Sequence, residues 1–174
     1  MSQKANFILL SDYNTWMNTK LYDAAATLSP EALAAERGAF FGSILGTLNH
    51  LVVSDTIWLK RFAAHQATSN TLHGVRELPA PTALNQLLFT DFDLLRAHRK
   101  WLDATIQAWV AGLTADDLTQ TLTYTNTRGE AKAKNLSSLI VHFFNHQTHH
   151  RGQVTTLLTQ SGVDMGATDL IALV

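Results

Sequence analysis

Apolar residues recur every third or fourth position along most of this chain, and that period places them on one face of α-helices. From Phe7 to Leu28 the recurring positions are Leu10, Tyr13, Trp16 or Met17, Leu21, Ala24 and Leu28, which predicts a first amphipathic helix. Ser29-Pro30-Glu31 breaks it and supplies both an N-cap and a proline at the first position of a short helix. A second long helix is expected from about Ser43 to His65. Phe40, Phe41, Ile44, Leu45, Leu48, Leu51, Val52, Trp58, Leu59 and Phe62 cover much of its circumference, so it should be the most buried of all.

Beyond it, Ala67 to Pro81 reads as a polar connection, either a plain surface loop or a cover for a site. Thr82 caps a third helix running to about Val110, with the stripe Leu84, Leu88, Leu95, Leu102, Ile106 and Trp109. His98 lies near that stripe and reads as structural. Thr114-Ala115-Asp116-Asp117 has the spacing of a capping box. The β-branched run Thr119–Thr125, the turn Asn126–Gly129 and the alternating Glu130–Lys134 predict a hairpin. Asn135 or Ser137 then caps a last helix to about Gln160, and Gly162–Val174 is a loop in which Asp164 and Asp169 are surface or capping residues. The expectation is all-α: an up-and-down four-helix bundle with a small β-hairpin before the last long helix, one domain spanning residues 1–174.

That last helix holds four of the chain's eight histidines: His142, His146, His149 and His150. Residues four apart stack on a helix, so His142, His146 and His150 form a column, and two imidazoles at that spacing can close on one metal ion. Rotation selects between them. With His146 at zero and about 100° per residue, His150 falls at about +40°, toward the stripe of Leu136, Phe143 and Val154 at roughly +60° to +80°. His142 and His149 fall at about −40° and −60°, on the far edge. His146 and His150 are therefore the inward pair. His50, in the middle of the second long helix, has the small neighbours Ser43, Gly46, Thr47 and Ser54 on its face, which leaves room for a ligand. It is the natural third metal ligand; the alternative is a core histidine bonded to a carbonyl. If all three are core residues, the chain reduces to a metal-free structural dimer.

Composition narrows the chemistry. A formal charge of −1 without a basic run offers nothing to neutralise a nucleic-acid backbone. No apolar stretch is long enough to span a bilayer, and Phe7–Leu10 is too short for a signal-peptide core, so a cytoplasmic location is the default. The absence of cysteine removes thiolate ligands, disulfides and a cysteine nucleophile. Any metal here has nitrogen and oxygen ligands, and any sulfur chemistry uses a thiol brought in by a small molecule. Glu36, Asp55, Glu77 and Glu130 are available carboxylates, none placed near the histidines by spacing.

Tyr13-Asn14-Thr15-Trp16 with Asn18, Phe40-Phe41-Gly42-Ser43-Ile44, Leu48-Asn49-His50-Leu51 with Asp55 and Trp58-Leu59, and Asn145-His146-Gln147-Thr148-His149-His150-Arg151-Gly152-Gln153 together resemble the DinB-like family, the DinB/YfiT superfamily of metal-binding four-helix bundles. Gly162 and Thr168-Asp169-Leu170 extend the similarity over nearly the whole length. Carried over by position, the resemblance implies metal ligation by His50, His146 and His150, a divalent ion, often zinc or nickel, and a homodimer. Some relatives are transferases that use low-molecular-weight thiols. Three neutral imidazoles leave such an ion most of its charge and one open position, which acidifies a bound water or thiol. The expected function is a metal-dependent thiol transferase or small-molecule hydrolase. The alternative is a stress or interaction protein in which the metal only stabilises the bundle; a sealed site would favour that alternative, and an open pocket the enzyme.

Overall fold

The computed structural model describes residues 2–65 and 70–174. Met1, residue 66 and the start of the connection expected from Ala67 lie outside them. Four long helices carry the fold: α1 (Gln3–Ala25), α3 (Ile44–His65), α5 (Phe92–Gly112) and α7 (Leu136–Gln160). Short helices α2 (Pro30–Ala34), α4 (His73–Glu77) and α6 (Ala115–Thr119) sit in the connections, with single 3₁₀ turns at Asn70–Leu72 and Leu170–Leu173. Strands β1 (Thr121–Thr125) and β2 (Ala131–Asn135) form the hairpin ahead of α7, antiparallel, with Thr121 opposite Asn135 and Thr125 opposite Ala131. The all-α bundle with its hairpin is the architecture the period of the sequence predicts.

The caps explain most boundaries. Ser2 accepts from the Ala5 amide and starts α1 earlier than the apolar pattern does. Ser29 caps α2, Thr114 and Asp117 form a reciprocal capping box on α6, and Asn135 caps α7 by accepting from the Ser138 amide. In the hairpin turn the Asn126 side chain accepts from the amides of Arg128 and Glu130, while Gly129 supplies the positive φ of 81°.

Two expectations are corrected. The third long helix begins at Phe92, capped by Asp91, not at Thr82. Its would-be first turns are pinned open by Asn49 of α3. That amide accepts from the Phe89 N–H and donates to the Phe89 carbonyl, each at 2.9 Å, pairing with the segment as a neighbouring strand would. Leu84 and Leu88 thus lie in an irregular segment, Leu84 exposed and Leu88 half-buried. In α1 the inward face is Phe7, Ser11, Asn14, Met17, Asn18, Leu21, Tyr22 and Ala25. Met17 rather than Trp16 points in, and the expected Leu10, Ala24 and Leu28 only flank the core.

Helix α1 packs on α5 and α7, and α3 packs on the same two, so α1 and α3 lie across the bundle from one another. Every residue of α3 from Ile44 to Thr56 is buried. One half of the interior is apolar, centred on Phe62 stacked against Trp109 with ring centroids 4.7 Å apart. The other half is polar. Arg99 of α5 is ion-paired with Asp55 of α3 and, at 2.9 Å, with Asp103. Asp103 also accepts from Asn14 and Asn18 of α1 at 3.0 and 2.9 Å, and Asn14 accepts from Arg151 of α7. The network ties all four long helices together, which fixes where α3 and α7 present their histidines.

Candidate metal centre

Helix α3 delivers His50, and α7 delivers His146 and His150 one turn apart. The His50 Nε2 lies 3.4 Å from the Nε2 of His146 and 3.2 Å from that of His150. All three nitrogens fall within 4.8 Å of one another. A tetrahedral ion with metal–nitrogen distances of about 2.0–2.1 Å separates its nitrogen ligands by roughly 3.3 Å. The spacings of His50 from His146 and from His150 match that figure.

The outer nitrogens show which way the lone pairs face. His50 Nδ1 donates to the Leu84 carbonyl at 2.8 Å, and a carbonyl can only accept. His150 Nδ1 donates to Gln153 Oε1 at 2.7 Å. With the proton on Nδ1, the Nε2 lone pairs of His50 and His150 point at each other across 3.2 Å. Two lone pairs at that distance repel, and a cation between them turns the repulsion into ligation. The donor set fits a divalent metal ion on this ground.

Burial pushes the basicity of all three rings down. The His146 pKa falls to about 3, first through desolvation and then through the neighbouring imidazoles. The His50 pKa falls to about 4 by desolvation, partly opposed by the Leu84 carbonyl. His150 is lowered by desolvation against the opposing bond to Gln153. At neutral pH the site therefore presents three uncharged donors, the form a metal requires.

Phe41, in the turn ahead of α3, stacks on His50 with centroids 3.7 Å apart and meets His150 edge-on at 5.5 Å. The chain reaches that position because position 46 is glycine: a Cβ there would collide with the Phe41 carbonyl oxygen. On the other side His50 and His146 line a cleft of about 240 Å³ whose walls include Ser54, Trp58, Leu84 and Tyr124. Ser54 Oγ donates to His50 Nε2 at 3.3 Å.

The remaining sequence-level candidates separate clearly. His142 is exposed, on the cleft wall, with its ring against Trp58 at 5.2 Å. His149 is exposed and accepts from Gln153 Nε2 at 3.3 Å, so it orients the glutamine that holds His150. His98 lies between the rings of Phe89 and Trp101, away from the triad. Asp55 is committed to Arg99, Glu36 to the Gly38 amide and Glu130 to Lys132. Asp164 accepts from the Gly166 amide. Sequence reasoning missed Leu84, whose contribution is a backbone carbonyl, and Phe41 as the covering ring. Gln153 was detectable from its place on the histidine face, three residues after His150.

The family model described as the DinB family matches residues 1–173. The chain is 26% identical over 160 residues to Protein DinB of Bacillus subtilis (strain 168), covering 92% of this chain and 88% of that protein. No solved structure matches it.

Proposed function

The chain belongs to the DinB family, and we propose that it is a divalent-metal-dependent enzyme that transfers a small thiol to an electrophile, with the ion held by Nε2 of His50, His146 and His150. The observation that carries this reading is the convergence of three Nε2 atoms beside an open cleft. Imidazole donors suit zinc and nickel among the common divalent ions. Such an ion, when bound, supplies a Lewis acid that favours the thiolate form of a thiol.

The chain's own residues prepare the site. The Leu84 carbonyl and Gln153 fix Nδ1 as the protonated nitrogen on two rings, so neither ring changes tautomer on binding; at His50 the ion would displace the Ser54 hydroxyl. Phe41 shields the face of His50 from water, and Trp58 and Tyr124 wall the cleft where an electrophile would lie. Among the described residues lining the cleft there is no Asp or Glu to serve as general base. Neither a thiol nor a water whose acidity such an ion would raise needs that base, so on this ground the cleft suits thiol transfer and hydrolysis alike.

The experiment is a screen of zinc- and nickel-loaded protein with small thiols and activated electrophiles, read as loss of free thiol and formation of the thioether. Turnover above that of the free ion, lost in His146→Ala, is expected. An absence of turnover with every thiol, with the ion retained, would move the function to metal-dependent stabilisation of the bundle.

A further inference from the structure

One wall of the cleft carries a cation that faces no acid. Arg61 lies eleven residues after His50 on α3, about three turns, which returns it to the same face. Side chains lean toward the N-terminus of their helix, so its guanidinium reaches back toward the triad. It packs against two neighbouring rings: its Cζ lies 4.6 Å from the ring centroid of Trp58 and 4.8 Å from that of Tyr124, and those centroids are 5.3 Å apart. Nη2 donates to the Thr125 carbonyl at 3.0 Å. That acceptor is neutral, and among the described residues Arg61 forms no ion pair. Partial burial works against its charge, and no carboxylate among the described residues offsets it.

The half-exposed guanidinium is stabilised by the two rings and by solvent, and its charge is left to take an anionic partner. The two rings set the guanidinium plane, and the Thr125 carbonyl uses part of its donor fork. What remains is a preorganised donor edge on the same cleft as His50 and His146. We propose that Arg61, packed against Trp58 and Tyr124, docks the carboxylate of a small-molecule substrate whose other end reaches the triad. The reach to the triad rests on the metal-site reading above. A carboxylate fits better than a phosphate because the polar groups nearby, Ser54, Asn126 and Thr127, are neutral. One guanidinium balances one negative charge, not two. At about 240 Å³ the cleft is smaller than the usual pocket for a drug-sized ligand, about 300–1,000 Å³, so the substrate is small.

The test uses zinc-loaded protein and calorimetric titration with ω-mercaptocarboxylates carrying two to seven methylenes, each against the mercaptoalcohol of equal length. The wild type should bind the acid at least about tenfold more tightly at one preferred length, the gain of a charge-assisted contact. In Arg61→Met that preference should vanish while the alcohols bind as before and the metal content stays unchanged. ω-Mercaptophosphonates should gain less than the carboxylates. Equal binding of acid and alcohol by the wild type, a preference that survives Arg61→Met, or a larger gain for the phosphonates would overturn the proposal. If no thiol binds at all, the thiol-transfer reading fails separately. Arg61 is then tested by simple alkanoates against alkanols on metal-free protein, followed through the Trp58 indole resonance. A carboxylate-specific shift lost in Arg61→Met supports the docking point, and its absence refutes it.

Discussion

The work of His50 and His150 is divided between their two nitrogens, one facing the cluster and one tied to the scaffold. Removing the tie should weaken the site without deleting a ligand. Gln153→Leu is expected to lower metal affinity roughly 10- to 100-fold, the usual cost of losing a partner of a ligating histidine, and Gln153→Glu to restore most of it. His149→Ala should leave one ion per chain, since His149 only orients Gln153; chelator competition measures both. The depressed basicity also gives a pH dependence. At pH 7 these rings are neutral in folded and unfolded chains alike. As pH falls below 6.5 the unfolded chain takes up protons that the folded chain refuses until about pH 4 at His50 and about pH 3 at His146. Stability of the metal-free protein should therefore fall as pH drops through that window. Thermal midpoints between pH 7.5 and 4.5 would show it, with a shallower fall in His146→Gln; an equally steep fall in that variant would refute the assignment. Turn spacing gives the column His142, His146 and His150, rotation toward the apolar stripe singles out His146 and His150, and small neighbours point to His50. The Leu84 carbonyl had no such signal, because backbone in an irregular segment leaves no mark in residue type.

Helix α3 is the element on which the site depends, and glycine at position 46 is where its neighbour comes closest. Gly46→Ala should force the Phe41 turn away from the helix, at a cost of about 1–3 kcal/mol, and loosen the ring that covers His50. Urea unfolding and metal affinity should both register it; a change in neither would mean that the turn is free to move. On the same helix Asp55 faces the polar interior. Asp55→Ala leaves Arg99 with a buried charge and only Asp103 against it, and should cost about 3–5 kcal/mol. This interior explains the misread face of α1. Ser11, Asn14 and Asn18 occupy inward positions, and polar residues that point inward are invisible to a search for apolar period. The early start drawn for α5 has a related cause. Leu84 and Leu88 fall on a helical spacing, but the side chain of Asn49 claims the backbone at Phe89 and holds the segment open.

Across the bundle, the triad joins α3 to α7 at one level and the Arg99 network joins all four long helices at another. The sequence period predicts the four helices and the hairpin; it does not say that α1 and α3 are the pair kept apart, which depends on packing between distant stretches. An ion bridging α3 and α7 adds a link that the unfolded chain lacks. At a free concentration 1,000 times its dissociation constant it would stabilise the fold by about 4.1 kcal/mol. Titrating zinc into metal-free protein puts this account to the test, with bound ion per chain counted by elemental analysis after desalting. One ion per chain is expected in the wild type and none in His50→Ala, His146→Ala or His150→Ala, each still helical by circular dichroism. A wild type that takes up no ion, or any of the three variants holding one ion per chain, would contradict it.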